Sequence, residues 1–535
     1  MKRSSVKRVA VTILVTLSLS ATLTLYGQQD RREKASLKIV QLLNILDDNY
    51  IDTLNFTEIS EETTRYILSL LDPHSTYIGA EDVKRSNEPL EGSFEGIGIE
   101  FAIIRDTLTV ISTIVGGPSE KVGLRAGDQI VAVDGEPIAS VKLTNSDVYK
   151  YLRGAGGTRV ILKVVRRGSE ELLTFTIVRG KIPINSVDAS YMLEEGVAYV
   201  KLSRFASNSA REIIEAIMAL GDHSKLKGMV LDLRSNSGGY LGSAIEIANF
   251  FLERGETIVS IEGRKIKRVS EVAKGNGFFR KGALAIVVDQ YSASASEIVA
   301  GAIQDWDRGA IFGRATFGKG LVQQPFNLVD GSQVRVTVAH YLTPSGREIQ
   351  TPYRKGESNE YFRKMEERYL RGEFFHKDTV KFDHSLKYKT LKEGREIYGG
   401  GGITPDIFIP ADTSLYTPYY GRMVREGILL SFVNQYTQSN REKLLQLYPS
   451  FEEFNSHFLP KEQRLIEDLF EYGSKEGVEY NGKEAQRSME LFTLLVKGHI
   501  ARTLYDENSY YRIVQELDRE LFDALKEYFK EQLSQ

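Results

Sequence analysis

Three stretches of the sequence combine residue types that nucleophilic catalysis requires. The first runs from Ser292 to Glu297 (SASASE), between an apolar run typical of a buried strand and a helix-spaced segment. A serine at the start of a helix lies beside free backbone N–H groups and the positive end of the helix dipole, and both stabilise a developing oxyanion. Ser294 and Glu297 also fit a capping box, and from this pattern alone we favour capping over catalysis.

The second stretch places Lys319 between two glycines, with Gln323 four residues further on. A lysine can act as general base for a serine if its surroundings lower its pKa from about 10.4, and Gln323 could hold its amine. The spacing G-x4-G-K that ends at Lys319 also matches most of a phosphate-binding P-loop. That alternative is disfavoured, because Gly320 replaces the magnesium-binding hydroxyl and Pro325 breaks the helix that must follow.

The third stretch is Asp232–Gly239 (DLRSNSGG), in which a strand-like run leads into paired glycines and then into a helix. Backbone N–H groups of Gly238 and Gly239 could point at a ligand oxygen, as an oxyanion hole requires. A tight strand-to-helix turn explains the same glycines and is favoured when this stretch is taken by itself.

A glycine-rich β segment offers a candidate peptide-binding loop. Gly96, Ile97, Gly98 and Ile99 precede the string GLRAGDQIVAVDG at 123–135. Backbone N–H groups of such a loop can bind the C-terminal carboxylate of a peptide, while the next strand pairs with the peptide backbone. A plain β-hairpin is the structural alternative, and the length of the longer string argues against it.

Metal and thiol chemistry have no support in the sequence. There is no cysteine, and none of the seven histidines has a metal-binding spacing such as H-E-x-x-H. We therefore expect no metal ion and no cofactor. His74 is expected to end a helix and His340 to face a strand neighbour. A Ser-His-Asp triad that uses His340 stays open, because triads are assembled in space rather than in sequence.

Length and composition are those of a folded multidomain protein. The chain has 535 residues, of which 41% are hydrophobic and 26% charged, so a disordered chain is excluded. A net charge of −3 argues against nucleic acid as a partner. The first residues are basic and Val9–Gln29 are uncharged, which is typical of an export signal over 1–27 or of an uncleaved membrane anchor. We expect the rest of the chain to be extracytoplasmic, in a bacterial periplasm or cell envelope.

Several domains must position these residues. Apolar residues at helical spacing begin the chain after the leader, and short alternating runs then indicate a β-rich block. Strand and helix patterns alternate in the middle of the chain, which predicts an α/β domain. The predicted division is an N-terminal helical segment at 35–91, a β-rich domain at 92–180, an α/β domain at 181–350 and 402–420, an insertion at 351–401, and a helical region at 421–535.

Together these strings resemble those of the carboxy-terminal processing peptidases, also called tail-specific proteases. They occur in the family's order and cover roughly residues 37–350, together with a short stretch at 402–406 after the insertion. The matching strings are LDPHSTY (71–77), FEGIGIE (94–100), GLRAGDQIVAVDG (123–135), DLRSNSGG (232–239), SASASEIVAGAIQD (292–305), GRATFGKGLVQ (313–323), YLTPSGREIQ (341–350) and GITPD (402–406). The family usually runs almost directly from TPSGR to G-I-x-P-D, so the resemblance assigns no role to 351–401 or to the helices after 420.

The resemblance implies a multidomain α/β protein with a crotonase-like protease domain and a PDZ domain at 92–180. By motif position, the nucleophile is Ser294, the general base is Lys319, and Gln323 orients the lysine. The backbone N–H of Ala295 and one N–H from the pair 238–239 would form the oxyanion hole. The resemblance thus reverses the preference for capping, because Ser294 can begin the helix and still attack a substrate.

We therefore expect an exported serine endopeptidase that binds protein C-termini through its PDZ domain and cleaves peptide bonds through an acyl-enzyme, without a cofactor. Its partners would be protein or peptide substrates. Association with a membrane through residues 9–26 and self-association are further hypotheses. Two alternatives stay open: a non-catalytic peptide-binding or chaperone protein, and hydrolysis in which His340 replaces the lysine as base.

Overall fold

The computed structural model describes residues 31–114, 116–166, 168–461 and 464–534. The chain divides into two compact units, residues 1–67 and 68–535. The first unit contains helix α1 over 31–49 and most of helix α2 (Phe56–Ser69). The leader predicted for 1–27 lies outside the described residues. Within the described residues, no helix is both long enough and apolar enough to cross a membrane.

The second unit begins with a short strand, a helix and a β-rich region. Its first elements are β1 (Thr76–Ile78), α3 (Ala80–Glu91), β2 (Ser93–Gly96), β3 (Ile99–Ile104), β4 (Thr107–Thr113), α4 (Pro118–Lys121), β5 (Gln129–Val133), β6 (Glu136–Pro137), α5 (Asn145–Leu152), β7 (Arg159–Val165), β8 (Leu173–Val178) and β9 (Gly180–Pro183). One sheet has the order β3-β4-β5-β7-β8, with β6 beside β5, and β2 pairs with β9. Buried and exposed residues alternate along β7, as in a strand with one face on a core.

An α/β region follows. Its elements are β10 (Val187–Glu194), β11 (Val197–Leu202), α6 (Ser209–Ala219), β12 (Gly228–Asp232), α7 (Leu241–Asn249), β13 (Thr257–Glu262), β14 (Val269–Val272), β15 (Ala283–Val288), α8 (Ala295–Asp305), β16 (Ala310–Gly313), β17 (Leu321–Asn327), β18 (Gln333–Leu342), α9 (Ser358–Leu370), β19 (Lys387–Lys389), β20 (Glu396–Tyr398) and β21 (Ile407–Phe408). The regular alternation of strands and helices confirms the predicted α/β class.

The end of the chain is helical, as predicted. Its helices are α10 (Pro418–Arg425), α11 (Ile428–Leu447), α12 (Phe451–Lys461), α13 (Arg464–Lys475), α14 (Gly482–Arg487), α15 (Met489–Leu504), α16 (Glu507–Val514) and α17 (Arg519–Ser534). A 3-10 turn at Gln515–Asp518 separates α16 from α17.

Two sheets organise the α/β region. The larger has the order β10-β11-β12-β15-β16-β21 and is parallel from β11 onward. Its central strands are buried on both faces, because α6, α7 and α8 cover one face and α17 covers the other. The smaller sheet has the order β1-β18-β13-β14, with β17 on β18. Every residue of α8 is buried: its small and aliphatic residues pack in the core, and Glu297, Gln304 and Asp305 have hydrogen-bond or ion-pair partners.

The segment predicted as an insertion has more structure than its sequence pattern indicates. It contains helix α9 and the hairpin β19–β20. Apolar side chains of α9 are few and its charged residues many, so periodicity gave no helical signal there. The helix is held instead by contacts with the rest of the second unit, which are described below.

Candidate active site

Ser294 begins the buried helix α8 in a strained conformation. Its φ is 54° and its ψ −111°, a combination that a residue with a side chain rarely adopts. The preceding turn is fixed by the Asn236 carbonyl, which accepts from the Ala293 N–H at 3.0 Å and from the Ser296 hydroxyl at 2.8 Å. The Glu297 carboxylate accepts from the Ser294 N–H at 2.8 Å. Ser294 therefore begins the helix, as both sequence interpretations require.

The glycine pair after β12 lies directly against this serine. A Cβ built on Gly238 would lie 2.9 Å from Ser294 Cβ and 3.1 Å from the Ala295 nitrogen. The Gly238 N–H donates to Asn236 Oδ1 at 2.9 Å. Among the described residues, the N–H groups of Gly239 and Ala295 make no hydrogen bond. The geometry therefore favours Gly239 rather than Gly238 as the second oxyanion donor beside Ala295.

Lys319 is held by Gln323, as the sequence predicts. Its Nζ donates to Gln323 Oε1 at 2.8 Å. Gln323 lies on β17, and its Nε2 donates to the His74 carbonyl. Burial lowers the pKa of Lys319 below its ordinary value, and the charge of Arg335 acts in the same direction, although the carboxylates of Glu297 and Asp72 oppose it. The environment thus favours the neutral amine that a general base needs.

The loop that carries His74 is built around a buried carboxylate. Asp72 Oδ1 accepts from the N–H groups of His74 and Ser75, both at 2.9 Å, and from the Thr337 hydroxyl on β18 at the same distance. Burial, followed by the charge of Lys319, lowers the pKa of His74 to about 4, so its ring is neutral at neutral pH. The expectation that His74 ends a helix is wrong, because α2 ends at Ser69.

The fully buried Glu297 carboxylate connects the start of α8 at Ser294 to the loop that carries Lys319. Besides the Ser294 N–H, it accepts from the Thr316 hydroxyl at 2.6 Å and from the N–H groups of Gly318 at 2.7 Å and Lys319 at 2.9 Å. Burial raises its pKa, although these four hydrogen bonds act in the opposite direction. The sequence indicated Glu297 only as half of a capping box, so its contacts with the Lys319 loop were missed.

Tyr341 makes a second connection between the same two loops. Its buried hydroxyl lies 2.6 Å from the Lys319 carbonyl and 3.1 Å from the Ser294 carbonyl. Burial raises its pKa well above the usual value, so the hydroxyl stays a donor. No sequence signal assigned this tyrosine a role, beyond its place in the string YLTPSGREIQ.

Some of the contacts considered for catalysis are not formed among the described residues. Within the described residues, the Lys319 amine is hydrogen-bonded to Gln323 and not to the Ser294 hydroxyl. His340 lies half-exposed on β18 with its Nδ1 2.6 Å from Glu348 Oε1, so its partner is a surface carboxylate rather than the serine. The described residues contain no group of three or more side chains that could hold a metal ion.

The predicted peptide-binding residues line a groove between β3 and α5. Gly96 ends β2, Ile99 begins β3, and Gly98 has a φ of 75° with no room for a Cβ, which would lie 2.9 Å from Ile182 Cδ1. The groove is lined by Phe94, Gly96, Ile97, Gly98, Ile99, Phe101, Val148, Tyr149, Leu152 and Arg153. An open groove between a strand and a helix can accept an extended peptide as an added strand.

A strained serine beside unpaired N–H groups, a buried lysine and a separate peptide groove together define a serine peptidase with a peptide-binding domain. Family models agree with this division: peptidase family S41 matches residues 196–355, a PDZ domain matches 110–166, and a family of unknown function, DUF8443, matches 419–506. The last match leaves the helical region without an assigned role.

Three relatives are similar to this chain, and the first two, each matched over more than two thirds of its own length, show the family. A carboxy-terminal-processing protease of Bartonella bacilliformis (strain ATCC 35685 / KC583 / Herrer 020/F12,63) is 37% identical over 56% of this chain and 69% of its own length. A probable CtpA-like serine protease of Staphylococcus aureus (strain MRSA252) is 33% identical over 63% of this chain and 68% of its own length. The carboxy-terminal processing protease CtpB of Bacillus subtilis (strain 168) is 33% identical over 59% of this chain and 66% of its own length. The chain belongs to the carboxy-terminal processing proteases of peptidase family S41, a family of serine proteases.

Proposed function

We propose that this protein is a serine endopeptidase in which Ser294 attacks the peptide carbonyl and Lys319 is the general base. The observation that carries the proposal is the Glu297 carboxylate, which binds the backbone of both residues and so fixes the helix start beside the lysine loop. A neutral Lys319 would take the hydroxyl proton as the acyl-enzyme forms and return it to the leaving amine. Water would then hydrolyse the ester, with the same lysine as base.

The oxyanion of each tetrahedral intermediate would be bound by the N–H groups of Ala295 and Gly239. Both donors are unpaired within the described residues; Ala295 follows Ser294 in the chain, and Gly239 follows Gly238, which packs against Ser294. Because they are backbone groups at a fixed turn and at a helix start, they need no reorganisation as charge develops on the oxygen. The proposed chemistry uses no metal ion and no organic cofactor.

We further propose that the PDZ domain binds substrate C-termini in the groove beside β3. The glycine-rich connection from Gly96 to Ile99 would bind the carboxylate, and β3 would pair with the peptide backbone. Arg153 also lines the groove, with its guanidinium over the rings of Phe94 and Tyr149 at 4.8 and 4.5 Å, but it is ion-paired with Glu88, so the peptide carboxylate would be bound by the backbone N–H groups. Amidation of the peptide C-terminus should therefore weaken binding.

Cleavage of a reporter protein with an unstructured apolar C-terminal tail tests both parts. We expect the wild type to cleave it, the Ser294→Ala and Lys319→Ala variants to be inactive, and an amidated tail peptide to compete poorly against the free acid. Equal cleavage by all three proteins would refute the catalytic assignment. Peptide binding without any cleavage by the wild type would favour the non-catalytic alternative.

We also propose export of the chain and its self-association. The basic first residues and uncharged Val9–Gln29 support export, with 1–27 as a cleaved signal or an anchor. Exposed apolar side chains on α1, such as Leu37 and Val40, support self-association. Fractionation of cells that express the full chain would test the first proposal, and light scattering of the purified protein the second.

A further inference from the structure

The inserted segment contacts the lysine loop, which is the connection at 314–320 between β16 and β17, through the buried Tyr361 on α9. Tyr361 is 4% exposed, and its hydroxyl lies 3.2 Å from His74 Nε2. The Tyr361 ring stands edge-on to the His74 ring, with 5.0 Å between centroids, and to that of Phe317, with 6.1 Å between centroids. Gln350 Nε2 donates to the Tyr361 hydroxyl at 3.4 Å. The insertion is therefore in direct contact with residues that surround Lys319.

These contacts form a continuous path to the candidate base. The Tyr361 hydroxyl bonds the ring of His74, the His74 carbonyl accepts from Gln323 Nε2, and Gln323 Oε1 accepts from the Lys319 amine. Each member has its partner on a different element of the chain. A shift of α9 would thus be transmitted to the Lys319 amine through only two intervening residues, His74 and Gln323.

A second residue of α9 holds the other end of the lysine loop. Arg368 donates to the carbonyl of Thr316 at 2.9 Å and to that of Ala315 at 3.1 Å. Its charge is balanced by the buried Glu373, whose carboxylate lies 3.0 Å from Arg368 Nε. Thr316 is also the residue whose hydroxyl binds Glu297. Arg368 therefore fixes the backbone that leads directly into Lys319.

We propose that α9 contributes to the active site. Its residues Tyr361 and Arg368 are positioning residues that hold the general base Lys319 in place and keep water away from its amine. The inference rests on the proposed function of Lys319. It gives a role to the segment that the family resemblance leaves unexplained. The two residues act at opposite sides of the loop, so their effects can be tested separately.

The test compares paired substitutions on the same helix, with the tailed reporter as substrate. Tyr361→Phe removes the buried hydroxyl, whereas Tyr369→Phe removes a hydroxyl from a residue that is 53% exposed. Loss of one hydrogen bond of ordinary strength should lower kcat of Tyr361→Phe about 3- to 10-fold with little change in KM. The Tyr369→Phe variant should match the wild type.

The pH profile separates positioning from simple loss of fold. Tyr361→Leu removes the ring that packs on His74 and Phe317 beside the lysine loop, so we expect water to reach the Lys319 amine and its pKa to rise toward the ordinary value. The acid limb of kcat/KM should then move to higher pH, while thermal unfolding confirms a folded enzyme. Tyr361→Phe keeps the ring, and its limb should stay close to that of the wild type.

Arg368 is tested by rescue. Arg368→Gln should lower kcat, Arg368→Lys should restore part of it, and Arg363→Gln on the exposed side of α9 should have no effect. Wild-type kcat and an unmoved acid limb in the folded Tyr361 variants, together with wild-type kcat in Arg368→Gln, would overturn the proposal. Retained activity in Lys319→Ala would instead refute the proposed function, so the two failures are distinguishable.

Discussion

Replacing Glu297 by glutamine tests whether this carboxylate, rather than helix capping alone, organises the site. In the wild type its two oxygens accept from four donors, two of them the backbone N–H groups of Ser294 and Lys319. A glutamine has one acceptor oxygen and an NH2 group that would face two of these donors. Turning the amide over does not remove the conflict, because the N–H of either Gly318 or Lys319 loses its acceptor.

The magnitude follows from this count of donors. At least one buried backbone N–H is left unpaired, which costs about 1–3 kcal/mol of stability, and the more unfavourable orientation leaves two unpaired. If a similar free energy is lost from the alignment of Ser294 with Lys319, kcat falls about 10- to 100-fold. The carboxylate also raises the pKa of Lys319, so its removal should move the acid limb of kcat/KM to lower pH.

The assay is the pH dependence of cleavage of the tailed reporter, combined with urea unfolding. Glu246→Gln on α7 is the matched control, because Glu246 is exposed. A Glu297→Gln enzyme with wild-type kcat and an unmoved acid limb would refute the idea that the carboxylate positions the dyad. A lower kcat with a limb at lower pH is the expected signature, and it differs in direction from that of Tyr361→Leu.

Three further predictions concern stability, and the last of them also concerns activity. Burial lowers the pKa of Lys319, so the folded wild type becomes more stable as pH rises toward the pKa of an unfolded lysine, about 10.4. Lys319→Met should therefore be more stable than the wild type near pH 7, and this gain in stability should shrink toward pH 10. Urea melts that show the same gain at every pH would contradict this. His74 has its pKa lowered to about 4, so the wild type should lose about 3 kcal/mol between pH 6.5 and 4 at this site, and His74→Gln should lack that loss in the same melts. Gly239→Ala would place a Cβ 2.1 Å from the Phe205 carbonyl oxygen and should abolish activity. Gly242→Ala is the control, because its Cβ meets nothing within 4 Å, and it should raise stability by about 0.5–1 kcal/mol. An active Gly239→Ala enzyme would refute the close packing of this turn.

Much of the α/β region could be predicted from local pattern. The apolar runs at 228–233, 284–288 and 334–342 predict β12, β15 and β18, each of which differs from its run by one residue at one end. In the β-rich region, the runs at 129–133 and 159–165 coincide with β5 and β7. These strands are continuous or alternating apolar runs, and side-chain burial decides their conformation. Pro325 ends any helix after Lys319, and the structure has strand β17 there. The residues singled out for chemistry could be recognised because glycine, serine and lysine stood at such turns.

What the sequence could not show depends on contacts between distant segments. Local spacing indicated that Gln323 could hold Lys319, but nothing near it in sequence reveals that the His74 carbonyl holds Gln323. Helix α9 has a weak apolar pattern because Tyr361 is its one buried residue within the described chain, and this residue is held by a hydrogen bond to His74 as well as by the ring of Phe317. Periodicity measures the size of an apolar face, so it misses a helix that is held by a few specific polar contacts.

The same distinction explains why capping and catalysis could not be separated at Ser294. A capping box needs only a helix start and an acceptor three residues on, and α8 provides both. Catalysis by a Ser/Lys pair needs in addition that a second loop lie beside the helix start, and here the Glu297 carboxylate accepts from the Lys319 N–H at 2.9 Å and from the Ser294 N–H at 2.8 Å. One buried carboxylate thus caps the helix and connects Ser294 to the backbone of Lys319, so a substitution of this one residue would disturb the helix start and the candidate site together.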